Sequence, residues 1–118
     1  MDKNSVIFVS GYQTLEGLSL YNYLQEKGYS KVIFEDESEN LDQLFKTTAP
    51  EYVFLLSDIS GGISVNMEKP ATLMIQNLNK MNKIIGLALK YGTKKLLYLA
   101  SSCIYPRDIN EALSPEMI

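Results

Sequence analysis

With 118 residues, 46% hydrophobic and 21% charged, the chain has the make-up of a single ordinary globular domain. A net charge of −3, with no basic cluster larger than Lys94 and Lys95, argues against a nucleic-acid surface, and no apolar run approaches the ~18 residues that span a bilayer. One cysteine rules out an internal disulfide framework, and the lack of histidine removes the commonest metal ligand and any histidine-activated nucleophile. The opening residues run into a strand-like segment with no signal-peptide core, so a cytoplasmic protein without a metal site is expected.

Residues 6–9 (Val-Ile-Phe-Val) form a short, continuous, β-branched run, the pattern of a buried parallel strand. A turn at 11–14 follows, and Leu15, Leu18, Tyr21 and Leu24 then fall on one helical face that Gly28 terminates. Residues 32–34 make a second strand that runs into Glu35, Asp36 and Glu37. Ser38 or Asn40 caps a short helix carrying Leu41, Leu44 and Phe45, and Pro50 closes it. Residues 52–56 are a third strand, and a loop with Gly61 and Gly62 leads to a long helix that starts at Pro70 and runs to about Tyr91. Residues 95–99 are the fourth strand.

The long helix carries Ala71, Met74, Leu78, Met81, Ile85 and Ala88 at spacings of three and four, a stripe expected to face the core. Leu73, Ile84 and Leu87 lie off that stripe and read either as a widened buried face or as a subunit interface. The alternation of strands and helices predicts an α/β fold: a shortened, Rossmann-like open parallel sheet in the order 3-2-1-4, with helices on both faces. Residues 1–106 are expected to form this domain, and 107–118 a loop or frayed tail.

Two features bear on chemistry. Gly11 and Gly17 are spaced as the outer glycines of a G-x-x-G-x-x-G turn, which lets backbone N–H groups and a helix N-terminus hold a pyrophosphate; a plain βα turn would use the same residues. Thr14 takes the middle position and brings a branched side chain, and Glu16 adds negative charge in the first helical turn, so the pocket is expected to be weakened or vacated. Glu35, about 20 residues beyond the turn, is placed to accept hydrogen bonds from a ribose and to repel a 2′-phosphate. Any dinucleotide bound is therefore expected to be NAD(H) rather than NADP(H), with no cofactor as the alternative. The second feature is Ser-Ser-Cys-Ile-Tyr-Pro at 101–106, at the end of the fourth strand, where open α/β sheets hold their ligands. Taken without context, Ser101 and Ser102 are turn residues and Cys103 a small buried hydrophobe.

Several blocks together resemble the extended short-chain dehydrogenase/reductase (NAD-dependent epimerase/dehydratase) family, and within it the GDP-L-fucose synthases. They are Val9-Ser10-Gly11 through Gly17; Gly61-Gly62-Ile63 with Asn66; Pro70-Ala71 with Gln76-Asn77-Leu78; Tyr91-Gly92-Thr93-Lys94-Lys95-Leu96-Leu97; and the 101–106 block with Glu111. The resemblance implies a Rossmann fold, a nicotinamide cofactor and a GDP-sugar substrate. It makes Gly11, Gln13, Thr14, Leu15 and Gly17 the cofactor turn, and Leu56 and Ser57 the loop beside the adenosine. It makes Ser101 the active-site serine that hydrogen-bonds the reacting sugar oxygen, and Cys103 the epimerisation thiol.

This sequence departs from the family pattern at Thr14, at Gln13 and Glu35 (both expected basic), and in a shorter stretch between the second and third strands. No Tyr-x-x-x-Lys follows the 101–106 block, and in these enzymes that pair transfers the proton. The expectation is the cofactor-binding portion of a nucleotide-sugar epimerase-reductase, not catalytic by itself. The alternative is a degenerate non-catalytic relative that serves as a structural or protein-interaction module, with a homo-oligomer or partner contact through helix 70–91. A phospho-receiver is excluded, because Gly11-Tyr12 stands where its acidic metal-binding pair would follow the first strand.

Overall fold

A computed structural model describes residues 1–35, 40–56, 62–108 and 112–117. Its strands are β1 (Ile7–Ser10), β2 (Val32–Phe34), β3 (Tyr52–Leu55) and β4 (Lys95–Tyr98). Its helices are α1 (Leu15–Glu26), α2 (Leu41–Thr48), α3 (Gly62–Glu68) and α4 (Pro70–Lys90), with 3₁₀ turns at Ser102–Ile104 and Pro115–Met117. All pairings are parallel, as the continuous apolar strands require: Phe8 lies opposite Ile33 on one side and Val53 on the other, and Val53 opposite Leu96.

The α/β class is the expected one, but the sheet order is β2-β1-β3-β4, not 3-2-1-4. The reason lies in α2. Phe45 packs edge-on against Phe8 with ring centroids 4.8 Å apart, so the helix lies over β1 and the chain descends on the far side of that strand. There Glu51 N–H donates to Val6 O at 2.9 Å and β3 begins. β1 and β3 are thus the inner strands, while β4, which starts at Lys95 and is largely exposed, is an edge.

Alternation along β1 sends Phe8 to one face and Ile7 and Val9 to the other. The first face buries Leu41, Leu44, Phe45, Val53, Leu55, Ile84, Leu87 and Ala88 beneath α2 and α4. The second packs Ile7 and Val9 against Leu24 of α1, with Leu20, Phe34, Phe54 and Leu56 around them. Beyond α1, this face of β3 and β4 forms an open groove lined by Tyr52, Phe54 and Leu97.

Two helices are rotated from their expected facing. In α1 the buried side is Gly17 and Leu24, while Leu15 is 78% exposed and Leu18 also faces solvent. A Cβ on Gly17 would lie 2.1 Å from Gly11 O, so α1 must turn its bare position toward β1, and Leu15 and Leu18 swing outward. In α4 the buried residues are Leu73, Ile84, Leu87 and Ala88, whereas Met74, Leu78 and Ile85 of the expected stripe are exposed. Leu73, Ile84 and Leu87 therefore make the core contact, and the apolar row left outside is Met74, Leu78, Ile85 and Leu89. Polar ties hold this rotation: Lys80 pairs with Glu35, and Asp42 accepts from Lys90 Nζ at 2.7 Å and Tyr91 O–H at 3.2 Å.

Asn40 caps α2, its Oδ1 accepting from Asp42 N–H at 3.0 Å. The stretch read as a loop before Pro70 contains α3, which opens on Gly62 at a positive φ of 68° and buries none of its side chains. Its apolar residues, Ile63, Val65 and Met67, alternate with polar ones, and for that reason periodicity does not reveal a helix. Among the described residues no helix is long and apolar enough to cross a membrane.

Candidate functional site

Because every strand is parallel, their carboxyl ends share one edge of the sheet. The crossover that carries β3 to the far side of β1 makes the gap between these two strands the topological switch point, where open α/β sheets bind ligands.

At this edge β1 ends in Ser10, fully buried, and Gly11 turns the chain with φ 80°, a conformation that favours glycine. Gly11 O accepts from Thr14 N–H at 3.0 Å and from Thr14 O–H at 2.8 Å. Thr14 Oγ1 in turn accepts from Gly17 N–H at 3.1 Å, which makes it the N-cap of α1. The two outer glycines are thus required for separate reasons: Gly11 for its backbone angle and Gly17 for the approach of α1 to the turn. Thr14 has extended backbone (φ −85°, ψ 165°) and needs no glycine. Its hydroxyl points back into the turn and occupies one N–H that an uncapped helix would offer to an anion. Gln13, Leu15 and Glu16 are exposed around the same helix end.

Glu35, just past β2, reaches across to this turn. Its Oε1 accepts from Ser10 O–H and Gly11 N–H, each at 3.1 Å, and lies 2.6 Å from Lys80 Nζ. Both side chains are mostly covered, Lys80 27% and Glu35 21% exposed. Lys80 is not among the residues that sequence reasoning singles out. Its signal is visible once the buried row of α4 is known, because Leu73, Asn77, Lys80, Ile84 and Leu87 follow the spacing of one helix face, and Lys80 is the charged member.

An aromatic group steadies the turn from the α1 side. Tyr12 stacks on Phe34 at 4.1 Å, and Tyr21 meets both rings edge-on at 5.6 and 5.3 Å. Leu56 is half-buried and packs with Ile7, Val9 and Leu24 at the end of β3; Ser57, Gly61 and Glu111 lie outside the described residues.

Gly11, Thr14, Gly17 and Glu35 therefore belong to one hydrogen-bonded unit. Ser101 and Cys103 form a second unit after β4, at the same edge of the sheet. Ser101 Oγ accepts from Cys103 N–H at 3.2 Å, and its carbonyl accepts from Ile104 N–H at 3.3 Å, shaping the 3₁₀ turn. Cys103 is a free thiol and exposed, not buried as a small hydrophobe would be. Among the described residues no three His, Cys, Asp or Glu side chains cluster as a metal site.

A parallel sheet with a glycine turn and a helix N-terminus at its switch point, and a carboxylate that reaches this turn from the end of β2, defines a Rossmann-like nucleotide-binding class of protein. The model of the NAD dependent epimerase/dehydratase family matches residues 7–116, and the chain belongs to that family. It is 35% identical over 113 residues to GDP-L-fucose synthase 1 of Arabidopsis thaliana, covering 90% of this chain and 35% of that protein. Among solved structures, DdhaC matches with TM-score 0.91 and 32% identity over 100% of this chain and 36% of its own. MlghC, a GDP-mannoheptose C4 reductase from Campylobacter jejuni with NADP bound, matches with TM-score 0.88 and 28% identity, covering 99% of this chain and 39% of its own. The chain thus spans about a third of the length of the curated relative.

Proposed function

We propose that these residues are the dinucleotide-binding portion of a nucleotide-sugar epimerase-reductase resembling GDP-L-fucose synthase. The observation that carries this reading is the hydrogen-bonded union of the turn residues Gly11, Thr14 and Gly17 with Glu35, which reaches them from the end of β2. The turn's geometry fits a pyrophosphate. Gly11 supplies the positive φ, Gly17 keeps the helix end close, and Gln13, Thr14 and Leu15 border the helix N-terminus that faces the phosphates. Glu35 takes the ribose hydroxyls, and Leu56 lines the adenosine side. NAD(H) is the nucleotide favoured by a carboxylate at this position, with NADP(H) disfavoured.

When bound, a nicotinamide supplies the hydride of the reduction. Ser101 holds the reacting oxygen of a GDP-sugar, and the exposed Cys103 thiol serves proton exchange in epimerisation. Titration of the protein with NADH, followed by nicotinamide fluorescence, tests the reading. Micromolar binding supports it, and the absence of binding at millimolar NADH overturns it.

The alternative, a non-catalytic interaction module, is favoured by one observation: the exposed apolar row Met74, Leu78, Ile85 and Leu89 on α4. A second copy meeting this row would bury it, making a homo-oligomer through helix 70–91. Sedimentation of the protein and of a Leu78→Lys/Ile85→Lys variant decides it. A mass above that of the monomer, lost in the variant, supports the interface, and a monomeric wild type overturns it.

A further inference from the structure

We infer that Lys80 is a specificity-determining residue of the nucleotide site, and that it narrows the preference for NAD(H) that Glu35 alone would impose. The inference rests on the cofactor reading above. Glu35 is the group that a ribose would meet, and a lone carboxylate there would repel a 2′-phosphate strongly. It is not a lone carboxylate. Lys80 Nζ sits 2.6 Å from Oε1, delivered by a helix that otherwise takes no part in the turn. The same oxygen also holds Ser10 O–H and Gly11 N–H, so Glu35 stays pinned to the end of β1 whichever nucleotide arrives.

Lys80 is anchored differently. Its backbone lies in the middle of α4, and its long side chain keeps 27% of its surface open to solvent. A compact cation on a flexible four-carbon chain can leave one oxyanion for another at small cost. A 2′-hydroxyl finds the fixed acceptor on Glu35. A 2′-phosphate finds the ammonium, while Ser10 and Gly11 continue to hold the carboxylate. The pair recognises both ribose ends, and its net charge is near zero where an unpaired glutamate would present a full negative charge. At this range in a partly wet site, such a cation changes the binding of a phosphate by a factor of about ten.

The test measures Kd for NADH and for NADPH by fluorescence titration of the whole chain, and reads the ratio of the NADPH value to the NADH value. In Lys80→Met the ratio rises about tenfold, mainly through weaker NADPH binding. In Glu35→Gln it falls by a similar factor, and Lys80→Met added to Glu35→Gln reverses that fall. Lys80→Arg, which retains the positive charge, keeps the wild-type ratio. Circular dichroism checks the fold of each variant, and should Lys80→Met be unfolded, Lys80→Gln replaces it and is read in the same way. A ratio that is unchanged on removal of the ammonium overturns the role of Lys80 and leaves the cofactor reading standing. Failure of wild type and every folded variant to bind either nucleotide overturns both.

Discussion

Gly17 and Gly11 meet backbone to backbone at the mouth of the turn, so closely that a Cβ on Gly17 would also fall 2.7 Å from the Gly11 carbonyl carbon. Backbone cannot yield as the tip of a flexible side chain can. Gly17→Ala is therefore expected to destabilise the fold by about 1–3 kcal/mol in urea unfolding. Gly86, inside α4 with open space around it, is the matched control: Gly86→Ala is expected to stabilise by about 0.5–1 kcal/mol. Equal effects at the two positions would contradict the close approach.

Thr14 is the N-cap of α1, and its replacement separates capping from cofactor binding. Thr14→Ala is expected to cost about 1 kcal/mol and Thr14→Gly only a few tenths. Thr14→Gly also exposes the Gly17 N–H, so under the proposed function it tightens NADH binding. Weaker binding in a folded Thr14→Gly protein would assign the hydroxyl a direct role toward the cofactor instead.

The rotation of α4 is tested by two substitutions on opposite faces. Ile84 is fully buried, and Ile84→Ala is expected to cost about 2–5 kcal/mol. Leu89 is 84% exposed, and Leu89→Lys is expected to stay within about 0.5 kcal/mol of the parent. Comparable losses from both changes would place the core on the other stripe.

Two surface ion pairs set a pH dependence. The hydrogen bond from Lys90 holds Asp42 below its usual value, and that from Lys94 does the same for Glu51. Their folded forms release protons more readily than the unfolded chain, so the stabilisation is complete above the ordinary carboxylate range. It is lost as pH falls from about 4 toward the lowered values. Lys90 and Lys94 are raised by hydrogen bonds to the same partners, so their share is present below the ordinary ammonium range and lost as pH rises through the raised values. Urea midpoints are expected to be flat between these limits and to decline outside them, with a smaller acid decline in Asp42→Asn. An unchanged acid limb in that variant would remove Asp42 from the account.

The α/β class, the positions of the four strands, the glycine turn, Glu35 at the end of β2 and the serine–cysteine turn after β4 are all legible in the sequence. Each is written in local chemistry: β-branched runs, cap residues, and glycines where the chain must bend or approach itself. Tertiary structure alone decided the strand order, the facing of α1 and α4, and the arrival of Lys80 at Glu35. A helical repeat specifies how apolar residues recur but not which of two neighbouring apolar rows docks. In α1 the contact of Gly17 with Gly11 made that choice, and in α4 it was made by the fit of Leu73, Ile84 and Leu87 together with the ties of Lys80 and Asp42. The seat of α2 on Phe8 likewise sent β3 across β1, a long-range packing event that no single stretch of the chain encodes.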